Sequence, residues 1–458
     1  MHSSTSSIPL DFFLEATTSL CPQCMECVPA RMIRRGGGVV LEKVCPSHGL
    51  QTELLEEDAE YFMRRRDYDK LGTDCRRQTK IEKGCPFDCG LCPQHAQHTC
   101  IGLIEVTNAC DLRCPMCYAA SGDGEFLPME TIERMMDAYI DSEFEPPEIL
   151  QISGGEPTLH PHILDIIDLG KKKGFKYVML NTNGLRLAKD EEFVKQLAAF
   201  NGGFEVYLQF DGFSPDALRT LRGRDLSCEK KKAIEHLVRH RVPTTLVATI
   251  ARGVNDGDIG SIVRLGLDTP CIRGVNFQPM AYFGRMPTGS STKDRVTLTG
   301  IIRRMEEQTD GLLTMRDFVP LPCDVDRVSL TYLRKNKKGK WTALPREIDI
   351  RKFVPAIKNT FAFSLDDAMD MKALQGCGCL KGPFKFIDLL GDAALMRTVG
   401  QRAQYLNESL FRISITSFVD AYNFDLRSMQ KECVHIITPD GRKIPFSAYN
   451  MIHRTIAA

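Results

Sequence analysis

Between residues 101 and 300, short apolar runs of strand length alternate with amphipathic stretches of helical length. The apolar runs include IGLIEVT at 101–107, PEILQISGG at 147–155 and FEVYLQFDG at 204–212. This alternation is typical of parallel strands joined by helices, because parallel neighbours require a crossover connection. The sequence therefore predicts an α/β fold, with a partial (β/α)6 TIM-like barrel over residues 102–300.

The segments on either side of the predicted barrel have a different pattern, and the chain is longer than one hydrophobic core usually supports. We expect a small metal-binding domain with a charged helical linker over 1–82 and a short cysteine-rich segment over 83–101. After the barrel, residues 301–458 predict a cysteine-containing α+β extension. A β-hairpin is predicted near its end, around Pro439–Gly441, because Pro, Asp and Gly together favour a tight turn.

The composition argues against several functional classes. The chain has 59 Lys+Arg and 59 Asp+Glu, so it lacks the basic field with which nucleic-acid-binding proteins attract phosphates. Its N-terminal stretch lacks the positive charge of a secretory signal, and no uncharged apolar run approaches the ~20 residues that span a membrane. We expect a cytoplasmic protein with no nucleic-acid partner and at most peripheral membrane contact.

Eighteen cysteines are many for a reducing compartment, where clustered thiols are more often metal ligands than disulfides. Three of them, Cys110, Cys114 and Cys117, lie in one loop directly after the first barrel strand. Three thiolates at this spacing suit three irons of a four-iron, four-sulfur cluster and leave the fourth iron open. A closed zinc site is the alternative, but it needs a fourth ligand, and the sequence places none nearby.

Further motifs follow this triplet: SGGEPTLHP at 153–161, NTNG at 181–184, and the strand ends LQFDG and VATIARGVND. Together with the triplet they resemble the radical S-adenosylmethionine superfamily over roughly residues 101–280. The resemblance implies that the open iron binds the amino and carboxylate groups of S-adenosylmethionine. It also implies reductive cleavage of this cofactor to a 5′-deoxyadenosyl radical, which takes hydrogen from an unactivated C–H bond.

The same resemblance implies which residues lie beside the cofactor. Gly154, Gly155, Glu156 and Pro157 would flank its methionine part, where glycine permits close backbone approach and Glu156 can accept a hydrogen bond from the amino group. Partners for the carboxylate and ribose are expected further along the chain: Thr182, Asn183, Gln209, Asp211 and Thr249. The sequence assigns no residue the role of proton or radical relay.

A second cysteine triplet precedes the barrel and has no glycine-glycine-Glu motif directly after it: Cys85, Cys89 and Cys92. We interpret it as an auxiliary iron–sulfur site. Cys100 is expected to complete this site with a fourth thiolate, and His95 and His98 are rival ligands. A zinc knuckle made from the same residues is the alternative, because the spacings of zinc and iron–sulfur ligands are similar.

The N-terminal head carries two ligand pairs, CPQC and CPSH, with twenty residues between them. This arrangement predicts a zinc ribbon or rubredoxin-like site that binds a mononuclear zinc or iron ion. The expected ligands are Cys21, Cys24, Cys45 and His48. Cys27 is an alternative fourth thiolate, and the glycine run of RRGGGVV supplies the turn between the pairs.

Four cysteines in the C-terminal part are candidates for a further cluster, and packed or scattered thiols are the alternative. These are Cys323, Cys377, Cys379 and Cys433. We expect Cys75, Cys228 and Cys271 to be lone thiols. The KKK runs at 171–173 and 230–232 are expected on exposed helix faces.

A wider set of motifs narrows the resemblance: the paired cysteines of the head, GCPFDCGLCPQHAQHTC at 84–100, IRGVNFQPMAYFGR at 272–285, and the tail from Phe418 to Phe446. Together they resemble the tetraether-lipid-synthase-type group, whose members are also interpreted as reduced-pterin methylases. The resemblance implies hydrogen abstraction from a lipid alkyl chain followed by C–C coupling. Methylation of a reduced pterin is the alternative, and a non-catalytic iron–sulfur electron carrier is the alternative of a different class.

Such an enzyme needs a reducing electron donor, for example ferredoxin or flavodoxin, beside its small-molecule or lipid substrate. A buried apolar groove would favour a lipid, whereas converging Asn, Asp and aromatic side chains would favour a pterin. In the tail, the resembling group is expected to have cysteines where this chain has Ser447 and Glu432. The third cluster is therefore predicted to be missing or differently ligated.

Overall fold

The computed structural model describes residues 11–200, 202–287, 289–336, 338–354 and 409–454. Cys377 and Cys379 lie outside the described residues, so their proposed part in a cluster stays a prediction. In the part of the chain that the structure describes, no helix is both long and apolar enough to cross a membrane.

The N-terminal part is a four-stranded antiparallel meander, in which each strand pairs with the next along the chain. Its strands are β1 (Phe12–Leu20), β2 (Cys27–Arg35), β3 (Gly38–Cys45) and β4 (Gly49–Glu56). Gly36, at φ +59°, makes the tight turn between β2 and β3. The sheet packs its apolar face, including Leu41, on Phe62 of helix α1 (Ala59–Arg64).

The second sheet is built around six parallel strands whose spatial order follows the chain. These are β5 (Ile101–Thr107), β6 (Ile149–Gly154), β7 (Tyr177–Thr182), β8 (Phe204–Gln209), β9 (Thr244–Ile250) and β10 (Ile272–Pro279). Helices occupy the chain after each of these strands: α2 (Met129–Asp141), α3 (Ile163–Lys172), α4 (Leu185–Lys189), α5 (Glu191–Ala198), α6 (Pro215–Arg222), α7 (Ser227–Arg239), α8 (Ile259–Asp268) and α9 (Leu298–Gln308). The predicted α/β fold with a partial barrel is confirmed.

The C-terminal part adds strands to both edges of this sheet. Strand β14 (Leu410–Thr416) pairs in parallel with β10, and β15 (Val434–Ile437) pairs in parallel with β5. Antiparallel strands lie outside them: β11 (Val319–Leu321), β12 (Asp324–Lys335) and β13 (Trp341–Ala343) beyond β14, and β16 (Lys443–Pro445) beyond β15. The predicted tail hairpin is confirmed as β15 and β16, in which Ile436 lies opposite Ile444.

Short helical segments complete the described chain. Helix α10 (Leu426–Lys431) precedes β15, and α11 (Phe446–Ala448) leads into a π-helical turn over Tyr449–His453. Single 3-10 turns cover Arg65–Tyr68, Pro157–Leu159, Thr292–Asp294, Met315–Asp317, Leu344–Arg346 and Ile350–Phe353.

Residues on the barrel strands alternate between two environments, as the period of a strand requires. On β6, Leu150 and Ile152 are buried in the main hydrophobic core, whereas Gln151 and Ser153 line the cavity inside the barrel. Strand β7 repeats the pattern, with Leu180 in the core. The interior therefore carries polar side chains on a rigid parallel sheet.

Candidate active site

The barrel strands surround a cavity whose unfilled space, including its open mouth, is about 1620 Å³. The carboxyl edge of a parallel sheet commonly binds ligands, because the loops that follow the strands meet there. The first cysteine triplet and all but one of the predicted cofactor-binding residues line it: Cys110, Cys114, Cys117, Gly154, Gly155, Glu156, Pro157, Thr182, Asn183, Gln209 and Thr249. The exception, Asp211, is fully buried.

The loop that carries this cysteine triplet is held by Arg285, which sequence reasoning did not assign to the site. Cys117 and Arg285 exchange two backbone hydrogen bonds, each with an N to O distance of 2.9 Å. The guanidinium of Arg285 donates from Nε to the carbonyl of Cys114 and from Nη2 to that of Ser121, both at 2.8 Å. In the sequence, Arg285 was marked only by the resemblance of residues 272–285 to the tetraether-lipid-synthase-type group.

Gly154 and Gly155 bring the end of β6 against the same loop. The backbone N of Gly155 donates to Thr107, and that of Glu156 donates to Ala109, both at 2.8 Å. A Cβ added to Gly155 would lie 2.2 Å from the carbonyl oxygen of Ala109, and one added to Gly154 would lie 2.0 Å from that of Thr107. Only glycine therefore allows this approach.

Glu156 is 1 % exposed and accepts hydrogen bonds from neighbouring loops. Its Oε1 accepts from the hydroxyls of Thr158 (2.6 Å) and Thr182 (2.8 Å), and its Oε2 accepts from the backbone N of Asn183 (2.6 Å). Burial raises the pKa of Glu156 in spite of these donors. The carboxylate thus fixes the NTNG turn relative to the two glycines.

Asp211, Gln209 and Thr249 meet in one buried network around Arg222. Arg222 donates from Nε and Nη2 to the two carboxylate oxygens of Asp211, at 2.6 and 2.8 Å. Its Nη2 also lies 3.2 Å from the hydroxyl of Thr249, and Gln209 donates to the same carboxylate. Asp211 therefore holds Arg222 and Gln209, which line the cavity, in place. Arg222 belongs to no recognisable motif, so it was not predicted as a site residue.

Lys230 is 2 % exposed, so the expectation of an exposed face over 230–232 is wrong for its first residue. Its Nζ donates to the carbonyl oxygens of Asn183 and Gln209 at 2.6 Å and to Gln209 Oε1 at 2.8 Å. Burial lowers the pKa of Lys230 to about 8. The burial of Lys230 could have been predicted from helical periodicity, because Lys230 lies on the same helix face as the buried Ala233 and Leu237.

Side-chain amides and hydroxyls lie inside the barrel. Gln151 Nε2 donates to Asn181 Oδ1 at 2.6 Å, and Asn181 Nδ2 donates to Ser153 Oγ at 3.0 Å. On β10 and β14, Ser414 Oγ donates to Asn276 Oδ1 at 3.0 Å. Sequence reasoning missed these residues because a single amide within a strand pattern is not a motif. The cations Arg412 and Arg454 also line the cavity.

Together with His95, the upstream triplet of Cys85, Cys89 and Cys92 lines a separate small depression whose unfilled space, including its opening, is about 250 Å³. Cys27, the alternative ligand of the ribbon, lies at this second site. Its Sγ is 3.7 Å from the carbonyl oxygen of Cys85.

Cys100 does not join the upstream triplet in the described structure, so that expectation is wrong. Its Sγ lies 3.7 Å from that of Cys323, which in turn lies 3.9 Å from that of Cys433. The cause is strand pairing: the backbone N atoms of Cys100 and Ile101 donate to the carbonyl of Cys433 at 2.8 and 3.2 Å. This pairing places Cys100 beside the start of β15.

The structure brings the four predicted ribbon ligands together, with all their ligand atoms within 4.8 Å of one another. His48 Nδ1 lies 3.5 Å from Cys21 Sγ and 3.4 Å from Cys45 Sγ, and Cys24 Sγ lies 3.8 Å from Cys45 Sγ. These distances suit one tetrahedral ion.

The main cavity fits a four-iron cluster with S-adenosylmethionine. Cys110, Cys114 and Cys117 come from one loop and line the cavity, yet among the described residues they are not one of the sets whose ligand atoms all lie within 4.8 Å. They are therefore too far apart for one shared ion, as expected for the corners of a cluster. Beside them, Gly154 and Gly155 let the end of β6 pack directly against this loop, at the place where the resemblance puts the methionine part of the cofactor.

Comparisons with known proteins agree with this geometry. Residues 104–266 match the radical SAM superfamily, and residues 13–57 match the HMPTM N-terminal zinc ribbon domain. The 7,8-dihydro-6-hydroxymethylpterin dimethyltransferase of Methanocaldococcus jannaschii is 34% identical over an alignment of 480 positions, which covers 96% of this chain and 94% of that protein.

More distant similarities cover shorter parts of the chain. A GTP 3′,8-cyclase of Alkaliphilus oremlandii is 28% identical over 185 residues, which cover 39% of this chain and 56% of that enzyme. The solved structure of Streptococcus suis SuiB bound to S-adenosylmethionine matches with a TM-score of 0.37 and 18% identity, over 46% of this chain and 47% of that one.

Proposed function

Since this chain belongs to the radical S-adenosylmethionine superfamily and, within it, to the family of the Methanocaldococcus jannaschii 7,8-dihydro-6-hydroxymethylpterin dimethyltransferase, we propose that it methylates a reduced pterin. Membership of this superfamily makes the chain an enzyme with an iron–sulfur cluster, so the electron-carrier alternative no longer applies. Between the two substrates left open by the sequence, the comparisons support the pterin over the lipid.

The observation that carries this proposal is the set of side-chain amides that face the cavity from the barrel strands, among apolar side chains. A pterin is a flat ring system whose amino and lactam groups need donors and acceptors in one plane. Gln151, Asn181 and Asn276 offer side-chain amides from three strands, while Leu103 and Met179 offer apolar contact to a ring face. An alkyl chain at this place would offer no partner to those donors and acceptors of the amides that their mutual hydrogen bonds leave over.

The chain's own residues would hold the cofactors as follows. Cys110, Cys114 and Cys117 would ligate the cluster, and the backbone of Gly154 and Gly155 would contact the methionine part of S-adenosylmethionine. When bound, cluster and cofactor supply the 5′-deoxyadenosyl radical that takes hydrogen from the substrate. Glu156 and Arg222 position the surrounding loops through the hydrogen bonds described above.

The net change that we propose is replacement of a pterin C–H bond by C–CH3. The hydrogen atom ends in 5′-deoxyadenosine, and an external one-electron reductant, such as ferredoxin or flavodoxin, drives the cleavage of S-adenosylmethionine. A one-carbon donor transfers its methyl group, at the oxidation level of CH3+, to the pterin carbon radical and is released without it, and a second electron from the same reductant completes the new C–C bond. Methyl-labelled S-adenosylmethionine in the assay distinguishes this cofactor from another donor.

The test uses full-length protein purified without oxygen, with its iron and sulfide restored. It is incubated with S-adenosylmethionine, dithionite and 7,8-dihydro-6-hydroxymethylpterin. The products are separated by chromatography and identified by mass spectrometry. We expect the pterin to stimulate 5′-deoxyadenosine formation and to acquire one or two methyl groups. The variant with Cys110, Cys114 and Cys117 all changed to Ala should form neither product.

A matched control replaces Cys271, a cysteine outside the cavity, with Ala and should retain activity. Cofactor cleavage that ignores the pterin, with no methylated product, would contradict the substrate. If a lipid with long alkyl chains stimulated cleavage instead, the lipid interpretation would replace the pterin proposal. No cleavage under any of these conditions would contradict the proposed reaction as a whole.

A further inference from the structure

Three cysteines that are far apart in the sequence meet at one fully enclosed point of the fold. Cys100, Cys323 and Cys433 are each at most 2 % exposed, and their sulfur atoms all lie within 4.8 Å of one another. Cys100 precedes β5, Cys433 precedes β15, and Cys323 lies in the turn between β11 and β12. Leu321 and Val328 pack over them and separate them from solvent.

The distances between these sulfur atoms are those of ligands that share one ion. Cys100 Sγ lies 3.7 Å from Cys323 Sγ, which lies 3.9 Å from Cys433 Sγ. Thiolates bound about 2.3 Å from a tetrahedral zinc ion are about 3.8 Å apart. The ribbon gives an internal comparison, because Cys24 Sγ and Cys45 Sγ are also 3.8 Å apart.

The two predicted cluster triplets differ from this set. In the described ranges of the chain, only the ribbon set and the Cys100 set bring three or more ligand atoms within 4.8 Å of one another. The irons of a cubane hold their thiolates farther apart than one ion does, so the wider triplets suit clusters and the two compact sets suit single ions.

The candidate fourth ligand is His98, which lies beside Cys100 but not within 4.8 Å of all three sulfur atoms, so its side chain must move toward Cys323 and Cys433 to complete the site. His98 Nε2 is 3.8 Å from Cys100 Sγ, and the other ring nitrogen, Nδ1, is 3.8 Å from Glu143 Oε2. Metal-bound histidines usually face a carboxylate with the nitrogen that does not bind the metal. Glu143 is itself fixed, because Thr99 N donates to its Oε1 at 3.2 Å and Lys443 Nζ does so at 2.5 Å.

We propose that Cys100, Cys323, Cys433 and His98 form a second mononuclear metal site, which holds one tetrahedral ion of the zinc class. The site lies where strands from the two margins of the sheet meet, because β15 with β5 belongs to one margin and β11 with β12 to the other. One ion at this point therefore links the ends of the otherwise open sheet. The proposal is independent of the proposed function and does not require Cys377 or Cys379.

Metal analysis of the full-length, anaerobically purified protein tests the site. Zinc, iron and acid-labile sulfide are counted per chain, and X-ray absorption at the edge of the bound metal reports the ligand types. We expect two mononuclear ions, each with three sulfur ligands and one nitrogen ligand. Cys323→Ser should lose one of these ions without losing sulfide, and Cys45→Ser should lose the other.

Further variants keep the test decisive if Cys323→Ser does not fold. His98→Cys should retain the ion, and its absorption spectrum should change to a larger share of sulfur ligands. Cys271→Ser, a control outside both sites, should lose no metal. The double variant of Cys377 and Cys379 to Ser should also keep both ions.

Three results would overturn the proposal. Loss of several irons together with sulfide in Cys323→Ser would show a cluster at this point. Loss of the ion in the Cys377 and Cys379 double variant would show that one of these cysteines, and not His98, is the fourth ligand. Wild-type protein with only the ribbon ion would show that the three cysteines are free thiols.

Discussion

Gly155 illustrates how the site depends on single residues. Its backbone touches the loop of the cysteine triplet, and a Cβ would come within 2.2 Å of a carbonyl oxygen. We expect Gly155→Ala to push this loop away, lower the free energy of unfolding by about 1–3 kcal/mol and weaken S-adenosylmethionine binding about tenfold. Denaturant unfolding and equilibrium dialysis with labelled cofactor measure the two effects.

Gly257→Ala is the matched control, because a Cβ there would meet no atom within 4 Å. It should change the free energy of unfolding by less than about 0.5 kcal/mol and leave cofactor binding intact. Equal cofactor binding by the two alanine variants would show that the close approach at Gly155 does not shape the cofactor site.

Lys230 makes stability depend on pH. Burial lowers its pKa from 10.5 to about 8, so between these values the unfolded chain holds a proton that the folded chain has released. Stability from this residue therefore rises as the pH rises through this window. Relative to Lys230→Met, the wild type should gain on the order of 2–3 kcal/mol between pH 7 and pH 10.5.

The comparison requires denaturant unfolding of both proteins at several pH values. Titration of the other groups largely cancels in the difference between them. Lys231→Met, which changes an exposed residue of the same run, should give a difference that is flat with pH. A flat difference for Lys230→Met as well would mean that Lys230 keeps its proton in the folded protein up to its ordinary pKa.

Single residues that belong to a motif can be predicted from the sequence. Residues that position a motif through hydrogen bonds cannot. The glycines of SGGEP and the cysteine triplet stand out because their spacing is unusual. Arg222 and Lys230 do not, since each depends on a carboxylate or carbonyl that is distant in the chain. Only the fold brings such partners together.

Among the elements, the terminal turn is attached to the first barrel strand by one ion pair. Arg454 donates to both carboxylate oxygens of Glu105 on β5, at 2.6 and 3.0 Å, and the two side chains are 11 % and 20 % exposed. Arg454→Met would leave this carboxylate largely buried without its cation. We expect the free energy of unfolding to fall by about 1–3 kcal/mol in denaturant.

Arg442→Met is the control for the ion pair, because Arg442 pairs with Asp440 on the exposed tip of the tail hairpin. Exposed pairs contribute little, so its loss should cost less than about 1 kcal/mol. If the two variants were equally stable, the Arg454 pair would be no stronger than a surface pair.

The order of elements within the barrel follows from the sequence, whereas the placement of the tail does not. Alternating apolar and amphipathic stretches predict consecutive parallel strands, and β5 to β10 follow that order. Strands β14 and β15 pair with opposite edges of the same sheet, and no local pattern encodes which edge a strand joins. Cys100 was assigned to the wrong set for this reason, because its partners precede β12 and β15.

Across the whole molecule, the ribbon, the barrel and the tail meet around one buried lysine. Lys43 of β3 is 2 % exposed, and its Nζ donates to the carbonyls of Leu20, Ala421 and Tyr422 at 2.7–2.8 Å. Nearby, Arg295 of the barrel donates to Asp420 of the tail at 2.6 Å. These contacts join parts that are far apart in sequence, so the ribbon is expected to unfold together with the barrel.

Lys43→Met tests this coupling because it removes the donor while keeping an apolar chain of similar length. Buried carbonyls left without a donor cost about 1–3 kcal/mol, so we expect an earlier ribbon transition separate from that of the barrel in calorimetry. The ribbon ion should remain bound, since none of its four ligands changes. Lys338→Met, at an exposed position, should keep the wild-type single transition. A single unshifted transition in Lys43→Met would mean that the remaining contacts, such as the 2.6 Å hydrogen bond from Thr299 to Glu56, couple the ribbon to the barrel without the lysine.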